Sequence, residues 1–501
     1  MKKIGLLLIL CCLFHEVAIT QWNVDAKRDI KWYKPFPTQG GPLLEIDFTD
    51  TSLSQLPNYD TITHTSIYSL SNSTSICDTA GSLLMCCSGF DLYDSSYHLM
   101  QNGDSITPHF HSGACFAQNA IILPQPGHGS LYYVFTMGNN YPCGIDELSE
   151  VYYSIVDMNQ NGGLGAVVSK ANLILHKDSL ANAHIKACRH GNGRDWWILI
   201  KDYYGNTYYR FLLDSIGLHI HTPQSVGEPF VLGNAWQADF SPTGDKYAVI
   251  SGTGNVINSV ESLNIFDFDR CTGLLSNPIQ YSQWRTSSMN GNIYSICFSP
   301  NGQILYWSNE DSLFQYSLSS NQSVCVAVWD STLVPAYYIN LGLQNEVKFS
   351  FMKRGYDGRV YIGTQMEMMH YIDMPNLIGT ACDVHQDAFQ LPTSLAEFLI
   401  NTPCYTTPPI CPDGVEEIEQ LEIGVYPNPT EGLLSIIGTS EGEKIIIVNL
   451  IGKVVSEVTC GNTSRSFGTE IDISELAKGV YLLILIDKNG LIIERKKITK
   501  Q

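Results

Sequence analysis

Short apolar runs of strand length recur through the middle of the chain, and polar turns that contain glycine separate them in pairs. The clearest copies are ADFSPTGDKYAVIS at 238–251, SICFSPNGQILYWS at 295–308 and FMKRGYDGRVYIGT at 351–364. Runs of this length, rich in β-branched and aromatic residues, are typical of strands, and a glycine between two runs favours a hairpin turn. The pattern therefore predicts antiparallel hairpins.

The hairpins repeat at a nearly constant interval. Fifty-eight residues separate Gly244 from Gly302, and 56 separate Gly302 from Gly358, in the turns of the three copies. More degenerate copies precede them, with turn glycines at Gly81, Gly129 and Gly193. Further apolar runs, such as those at 263–269 and 313–319, follow some of the hairpins. Each repeat is therefore predicted to contain about four strands.

Four-stranded units repeated six or seven times indicate a β-propeller, in an all-β protein. One such sheet cannot bury both of its faces alone, whereas a ring of blades covers every face and leaves no long exposed edge. We predict seven blades, with six or eight as alternatives. The seventh blade is expected to combine the run at 43–50 with strands that follow Cys382.

The last eighty or so residues form a separate all-β pattern that begins near Leu421. Its phrases are VYPNPTEGLLSI at 425–436, KIIIVNLIGKVV at 444–455 and IDISELAKGVYLLILIDKNGLIIERKKITK at 471–500. About seven short strands fit a small immunoglobulin-like sandwich. A carbohydrate-binding or adhesive β-sandwich is the alternative.

This C-terminal module resembles the type A sorting domain of proteins that the type IX secretion system of Bacteroidota exports. The resemblance implies that the module directs export, and that the type IX secretion machinery is a partner. The residues that match the sorting-signal motif are Pro427, Asn428, Pro429, Gly452, Gly479, Tyr481 and Lys497.

The region from about 30 to 400 is similar to a family of secreted Bacteroidota proteins with WD40-like propeller domains. The resemblance lies in TSICDTAGSLLMCCSGFDLYDSSYHLMQNG at 73–102, LNIFDFDRCTGLLSNPI at 263–279 and FQLPTSLAEFL at 389–399. The chain departs from the family at 85–87. Because the family has no agreed biochemical activity, the resemblance implies an architecture and assigns no catalytic residue.

The start of the chain reads as a secretory signal peptide. Lys2 and Lys3 precede an apolar run at 4–14, and small residues follow at 18–20, so cleavage is expected after Thr20. The run is too short to span a bilayer, and no later segment is long enough for a transmembrane helix. The predicted domains are a signal peptide at 1–20, a propeller at 21–400, a Pro/Thr-rich linker at 401–420 and the sorting domain at 421–501.

The charge and the cysteines narrow the choice of partners and environment. A formal net charge of −20 disfavours nucleic acid and anionic membrane surfaces, because both attract basic patches. The location is expected to be the medium or the outer cell surface, reached through the periplasm. Export favours disulfides among the 15 cysteines. One possible disulfide joins Cys404 to Cys411 and would cross-link the linker.

Four groups of residues are candidates for chemistry, each beside a structural alternative. Asp157, Asn159 and Asn161 alternate before a glycine, as at the start of a calcium loop, but Val168 stands where the bidentate carboxylate belongs. An Asx-rich hairpin turn is the favoured alternative, so we expect no cofactor, and calcium at this loop remains a possible exception. His109 and His111 have metal-binding spacing but no evident third ligand.

Asp267 and Asp269 lie on one face of a strand, as either an acid–base pair or turn-forming residues that pair with Arg270. Adjacent aromatic pairs offer either sugar-stacking surfaces or packing between blades. These pairs are Tyr132-Tyr133, Trp196-Trp197, Tyr203-Tyr204, Tyr208-Tyr209 and Tyr337-Tyr338. The sequence thus favours a non-enzymatic exported propeller that binds protein or glycan. The alternatives are a secreted enzyme acting on glycans or peptides and a structural component in adhesion or gliding.

Overall fold

The chain divides into two compact units, Met1–Cys411 and Pro412–Gln501. The computed structural model describes residues 27–34, 43–49, 58–62, 74–108, 118–138, 148–180, 185–230, 237–255, 258–284, 293–309, 311–343, 348–364, 366–391, 400–405, 410–411, 424–426, 428–437, 442–449, 453–460, 469–486 and 492–501. The predicted signal peptide at 1–20 lies outside the described residues. Among those residues, no helix combines the length and the apolar character needed to cross a membrane.

The described part of the first unit forms seven antiparallel sheets, and each sheet uses strands that are consecutive in the chain. The first two sheets are β1 (Lys31–Lys34), β2 (Leu43–Asp47) and β3 (Asn58–Ile62), then β4 (Thr74–Cys77), β5 (Leu83–Cys87) and β6 (Leu92–Asp94). The third and fourth are β7 (Ala120–Pro124), β8 (Leu131–Gly138), β9 (Leu148–Asp157) and β10 (Ala166–Leu180), then β11 (Lys186–Arg189), β12 (Trp196–Lys201), β13 (Gly205–Leu213) and β14 (Leu218–Phe230).

Like the third and fourth sheets, the remaining three sheets of this unit have four strands each. The fifth and sixth are β15 (Ala238–Phe240), β16 (Lys246–Asn255), β17 (Asn258–Asp269) and β18 (Leu274–Trp284), then β19 (Ser295–Phe298), β20 (Ile304–Ser308), β21 (Ser312–Ser317) and β22 (Gln322–Val328). The short helix α1 (Ala336–Asn340) precedes the seventh sheet, which is β23 (Met352–Arg354), β24 (Val360–Ile362), β25 (Met368–Ile372) and β26 (Val384–Gln390). Short 3-10 helices span Lys27–Asp29, Asn161–Gly163 and Gly379–Cys382.

The repeated glycines close the turn between the first and second strands of their sheets. The amide of Gly244 donates to the carbonyl of Ser241 at 2.8 Å, and that of Gly302 to Ser299 at 2.8 Å. Positive φ angles occur at Gly81 (94°), Gly193 (74°), Gly244 (69°), Gly302 (69°) and Gly358 (85°). In the turn between the first two strands of the third sheet, the glycine with positive φ is Gly127 (73°) and not the predicted Gly129. The repeat predicted from the sequence is therefore a structural repeat.

Apolar cores lie between successive sheets and continue around the unit. Trp196 packs towards the third sheet, whereas its neighbour Trp197 packs towards the fifth sheet with Phe240. Similar clusters join the fifth sheet to the sixth, the sixth to the seventh and the first to the second. Trp32 and Phe48 of the first sheet pack against Tyr361 of the seventh, which closes the ring. The first unit is a β-propeller, and the propeller prediction is confirmed.

The closing sheets differ from the arrangement expected from the sequence. The run at 43–50 was expected to share a sheet with strands after Cys382. Instead, β2 pairs with β1 and β3, and β26 pairs with β25. The physical reason is that β23 to β26 already satisfy one another within a complete four-stranded sheet, so closure occurs by packing of side chains between two sheets.

The second unit packs two antiparallel sheets face to face. One sheet contains β27 (Gly424–Tyr426), β28 (Leu433–Ile437) and β31 (Thr469–Asp472). The other contains β29 (Lys444–Asn449), β30 (Val454–Thr459), β32 (Gly479–Ile486) and β33 (Ile492–Lys500). Their inner faces share one apolar core, which includes Ile436, Ile447 and Leu483. The unit is therefore a small β-sandwich, and its immunoglobulin-like topology stays a prediction.

Candidate functional site

The segment that follows the propeller strands returns along the inner wall of the ring. Asn401 donates hydrogen bonds to the carbonyls of Ala120 and Ile185, both at 2.9 Å. Further along, Cys404 forms a parallel β-bridge with Cys188, the third residue of β11. We call the described residues 400–405 and 410–411 the channel segment.

The channel segment differs from the linker predicted to begin at residue 401. Ile400, Asn401 and Thr402 are each no more than 5% exposed. The reason is that the side-chain amide of Asn401 and the backbone of Cys404 pair with inner strands of the propeller. The Pro- and Thr-rich composition of the stretch gives no sign of this pairing. The first unit accordingly extends to Cys411.

A disulfide fixes the end of the channel segment. Cys411 is bonded to Cys271, which lies in the turn between β17 and β18, 140 residues earlier. The pairing of Cys411 with Cys404 considered from the sequence is therefore wrong. Chain proximity suggested that pairing, but the amide of Cys411 bonds to the carbonyl of Gly191 at 2.9 Å and directs its side chain to Cys271.

Gly191 leaves room for this disulfide. A Cβ atom at Gly191 would lie 2.0 Å from Sγ of Cys411 and 2.8 Å from Sγ of Cys271. Gly191→Ala is therefore expected to prevent the disulfide and to lower the free energy of unfolding by about 2–4 kcal/mol. Alkylation of thiols without reductant, followed by mass spectrometry, would detect Cys271 and Cys411 as free thiols.

Gly129→Ala is the matched control, because among the described residues no atom lies within 4 Å of a Cβ placed at Gly129. This control is expected to keep the disulfide and the stability of the wild type. A Gly191→Ala protein with an intact Cys271–Cys411 disulfide would contradict the close approach seen here.

A cavity of about 290 Å³ lies beside the channel segment. The inner strands of the fourth to seventh sheets contribute Lys186, Asp239, Cys297 and Arg354 to its wall. Asp29 enters from the start of the first sheet, and Phe240, Phe351, Tyr356 and Tyr405 add aromatic rings. The cavity is thus part of the central channel of the propeller.

Arg354 joins three inner strands through one guanidinium. Nη1 donates to Oδ2 of Asp239 at 2.8 Å and to the carbonyl of Phe298 at 3.2 Å, while Nη2 donates to the carbonyl of Phe240 at 3.0 Å. Burial opposes the charge of Arg354, but Asp239 outweighs it and the pKa of Arg354 is raised. This side chain therefore stays cationic and holds the channel wall together.

A second ion pair in the cavity wall holds the channel segment. Lys353 Nζ lies 3.1 Å from Oδ2 of Asp29 and also bonds to Oγ1 of Thr402. Thr402 in turn donates to the same Asp29 oxygen at 3.0 Å. Oδ1 of Asp29 is buried and has no hydrogen-bond partner among the described residues. This oxygen is therefore a hydrogen-bond acceptor in the cavity wall that could bind a donor from a ligand.

Lys186 is the second group in the cavity wall that can form further hydrogen bonds. Its side chain is 10% exposed, and the one carboxylate oxygen that lies close to it in the described part of the chain is Oδ1 of Asp239, at 3.8 Å. Burial lowers the pKa of Lys186 to about 8, although the nearby Asp239 carboxylate partly opposes the shift. At neutral pH the cavity therefore holds an ammonium group that has no close hydrogen-bond acceptor in the part of the chain that the structure describes.

Two glutamine side chains fix the backbone around these charges. Gln118 exchanges two hydrogen bonds of 3.0 Å with the backbone of Ala238. Gln237 donates to the carbonyl of Met352 at 2.7 Å and accepts from the amide of Ile296 at 3.1 Å. Since each joins strands of different sheets, the cavity wall is preorganised and not merely a gap between blades.

Sequence reasoning missed Lys186, Asp239 and Arg354 as site residues, although a signal was present. Each is a charged residue in the apolar strand that precedes a repeated turn glycine. A charge at such a position conflicts with burial unless a partner or a ligand compensates it.

The calcium-loop candidates lie together in the hairpin between β9 and β10. Asp157 accepts hydrogen bonds from the amide of Asn159 at 2.9 Å and from Nε2 of Gln160 at 3.0 Å. Asn159 donates to Oγ of Ser130 at 2.9 Å, and Asn161 has a φ of 51°. These contacts agree with the Asx-turn alternative, and calcium binding here stays a prediction.

The candidates Asp267 and Asp269 do not line the cavity. Asp267 pairs with Lys246 and accepts from Asn277 at 2.7 Å, and Asp269 accepts from the amide of Cys271 at 2.9 Å. Arg270 is buried and donates to backbone carbonyls, including that of Thr243 at 2.9 Å. His109 and His111 lie outside the described residues.

The aromatic pairs pack mainly between sheets. Trp196, Trp197, Tyr208, Tyr209, Tyr132 and Tyr133 are all at most 6% exposed. Tyr204 and Tyr337 are exposed, whereas their neighbours Tyr203 and Tyr338 are buried. Neighbouring rings point to opposite faces of a strand, and in most sheets both faces are covered.

The sorting-motif residues that the structure describes lie near the contact between the start of the second unit and its last strand. Asn428 Nδ2 donates to the carbonyl of Lys497 at 2.7 Å, and its Oδ1 accepts from the amide of Thr499 at 2.9 Å. The peptide bond between Asn428 and Pro429 is cis. The Asn428 side chain thus pairs with the backbone of β33 as an adjacent strand would. It connects the start of the module to its final strand.

The other motif residues have less direct contacts. Gly479 pairs with Lys500 at the start of β32, and the hydroxyl of Tyr481 donates to the carbonyl of Ala477 at 2.7 Å. Lys497 is exposed on β33. Pro427 and Gly452 lie outside the described residues.

Asn428→Ala is expected to loosen β33 at its C-terminal end. Loss of two hydrogen bonds near the surface should destabilise this region by about 1–2 kcal/mol. Amide hydrogen exchange of the peptide that contains Thr499 would then become faster. Asn428→Asp is the control, because it keeps the acceptor for Thr499 and should show a smaller change; unchanged exchange in Asn428→Ala would contradict this role.

Comparison with known proteins identifies the second unit. Residues 424–501 match the family of the secretion system C-terminal sorting domain. No curated protein matches the chain. The sorting domain implies export, to the cell surface or into the medium.

Solved structures similar to this chain are distant. One is a functionally unknown protein from Desulfotomaculum acetoxidans, with a TM-score of 0.38 and 12% identity over 74% of this chain and 99% of the other. Another is the Cps50 (Swd1) β-propeller domain from Myceliophteria thermophila, with a TM-score of 0.29 and 13% identity over 79% and 99%.

A third is a putative 6-phosphogluconolactonase from Bacteroides uniformis, with a TM-score of 0.31 and 13% identity over 58% of this chain and 88% of the other. Because all three TM-scores are below 0.5, the fold assignment depends on the strand pairings and cores of this chain. The chain is thus an exported protein with a β-propeller unit followed by a type IX sorting domain.

Proposed function

We propose that this protein is a seven-bladed, WD40-like propeller of the Bacteroidota type that binds a glycan bearing acidic sugars. One acidic sugar residue enters the central cavity, and its carboxylate pairs with Lys186. The observation that carries the proposal is the buried Lys186 ammonium, which has no hydrogen-bond acceptor close by among the described residues. A buried charge of this kind is costly unless a ligand compensates it.

The remaining wall suits a sugar acid better than a bare anion. Oδ1 of Asp29 is a buried acceptor that receives no hydrogen bond from the described residues, and a sugar hydroxyl would supply one. Phe351 and Tyr356 provide apolar rings for the faces of a sugar ring. The cavity of about 290 Å³ is at the small end of the ligand-site range and has space for a single residue of a chain.

Binding is favoured over hydrolysis because the cavity carboxylates are already engaged. Asp239 is held by Arg354 at 2.8 Å, and Asp29 by Lys353 at 3.1 Å. Glycoside hydrolysis uses a pair of carboxyl groups that act on the glycosidic bond, whereas each of these two carboxylates is already bound to a cationic side chain. The enzyme alternative therefore has less support than the binding one.

Export supplies the setting in which such a ligand would be met. The second unit is proposed to be read by the type IX secretion machinery through the Asn428 end of the sandwich. We further propose that the propeller then acts at the outer cell surface or in the medium, where acidic polysaccharides are accessible. Calcium at Asp157, Asn159 and Asn161 remains a separate proposal.

The test compares two polymers that differ only in charge. The mature chain, residues 21–501, would be applied to polygalacturonate and to its methyl ester at pH 7. Retention on the acid and not on the ester, without release of small products, is expected. Equal retention on both polymers, or on neither, would contradict the proposed ligand, and released products would support the enzyme alternative.

A further inference from the structure

Two thiols face each other where the channel segment meets the propeller wall. Cys188 and Cys404 are direct partners in a parallel β-bridge, and the amide of Cys404 bonds to the carbonyl of Ala187 at 3.3 Å. Neither of the two is part of a disulfide in this structure.

Their spacing matches that of a cross-linked pair. Strands joined by such bonds lie about 4.8 Å apart, and a disulfide accommodates Cα atoms about 4.4–6.8 Å apart. Directly bridged partners also point to the same face of a sheet.

The two side chains in fact approach the same neighbouring sheet. Cys188 belongs to the core shared with Phe240 of the fifth sheet, and Sγ of Cys404 lies 3.4 Å from the carbonyl oxygen of Pro242. Burial raises the pKa of Cys188 well above its usual value, and the neighbouring Cys404 thiol adds to the effect. A change of χ1 rotamer at each residue would turn the sulfur atoms towards each other.

We propose that Cys188 and Cys404 form a second disulfide in the exported protein and lock the channel segment against β11. Cys404 lines the cavity and is partly exposed, so an oxidant reaches it first. The oxidant is a low-molecular-weight disulfide, RSSR, or the disulfide of a thiol oxidoreductase.

The exchange balances in two steps. The thiolate of Cys404 attacks RSSR, which forms a mixed disulfide and releases one thiolate RS⁻. The thiolate of Cys188 then attacks Sγ of Cys404, which forms the Cys188–Cys404 bond and releases the second RS⁻. Two protons leave the protein, its two thiols are oxidised, and RSSR is reduced to two thiols.

The bond would hold the channel segment in the middle as well as at its end. The Cys271–Cys411 disulfide fixes only the end, whereas Cys404 lies beside Thr402 in the cavity wall. The second cross-link would therefore keep Thr402 and Asp29 in place around the binding cavity.

The first test maps the bond directly. The mature chain would be incubated with oxidised glutathione at pH 8.5, alkylated in denaturant without reductant, and cleaved after aromatic residues. This cleavage separates Cys404 from Cys411 at Tyr405. A linked peptide that contains Cys188 and Cys404 is expected, whereas alkylation of both residues would overturn the proposal.

The second test uses stability in the Cys271→Ser/Cys411→Ser background, where the established disulfide is absent. Oxidation is expected to raise the Tm of this protein, and Cys188→Ser is expected to abolish that rise. Cys297→Ser is the matched control, because Cys297 is a buried thiol that also lines the cavity. A rise in Tm that survives Cys188→Ser, or no rise at all, would contradict the proposed pairing.

Discussion

Arg354→Met is expected to cause the largest loss of stability of any single change in the channel. The substitution removes the bonds to Asp239, Phe240 and Phe298 and leaves the Asp239 carboxylate buried without its closest cation. Breaking a buried ion pair from one side destabilises proteins by about 3–5 kcal/mol. Denaturant unfolding of the mature chain would measure the change as a lower midpoint.

A double substitution tests whether the uncompensated charge is the cause. Asp239→Asn/Arg354→Met removes both charges, while the new amide can still accept from the amide of Phe298, which lies 3.1 Å from Oδ2 of Asp239. The double variant is expected to recover at least half of the lost stability. If it is as unstable as Arg354→Met alone, the packing of the arginine and not its charge supports the channel.

Lys186→Met is expected to act in the opposite direction, raising stability while abolishing ligand binding. Burial lowers the pKa of Lys186 from 10.5 to about 8, so folding is penalised whenever this amine is protonated. At 1.36 kcal/mol for each pKa unit, removal of the amine should stabilise the protein at pH 7 by at most about 3 kcal/mol. A residue that weakens the fold while facing a cavity is the pattern expected of a functional group.

The pH dependence of the free energy of unfolding shows in which direction Lys186 affects stability. Below pH 8 the amine is protonated in both states, and the full penalty is present. Between pH 8 and 10.5 the unfolded chain binds more protons than the folded protein, so the wild type gains stability as the pH rises. The difference between the wild type and Lys186→Met should therefore vanish near pH 10.5.

Lys201→Met is the matched control for burial. Burial also lowers the pKa of Lys201, to about 7, but its amine donates to the carbonyls of Asp202 and Gly205 and does not line the cavity. This variant should leave ligand binding unchanged. Loss of binding in Lys201→Met, or retention of binding in Lys186→Met, would contradict the role assigned to Lys186.

Much of the fold follows from local patterns in the sequence. The turns at Gly244, Gly302 and Gly358 demand positive φ, and the apolar runs on either side have strand length, so the hairpins were predictable. The closure of the ring was not, because it depends on the packing of Trp32 and Phe48 against Tyr361, more than 300 residues away. Such contacts leave no local signal.

The candidate site was less accessible to sequence reasoning. Asp157 and Asp267 stood out because their spacing resembles known chemistry, yet both make hydrogen bonds within or near their own hairpins. Lys186, Asp239 and Arg354 are far apart in the chain and meet only when three inner strands surround the channel. The channel segment was also missed, because Pro and Thr suggested an extended spacer.

The most direct test of the account is a calorimetric titration of trigalacturonate into the mature chain at pH 7 and at pH 9.5. With the pKa of Lys186 near 8, only a small fraction of this amine is protonated at pH 9.5. The apparent affinity at pH 9.5 should therefore be about 30-fold lower than at pH 7. Lys186→Met should show no comparable change between the two pH values and should bind weakly at both. Equal affinity of the wild type at the two pH values would contradict the assignment of Lys186 as the ligand-binding cation.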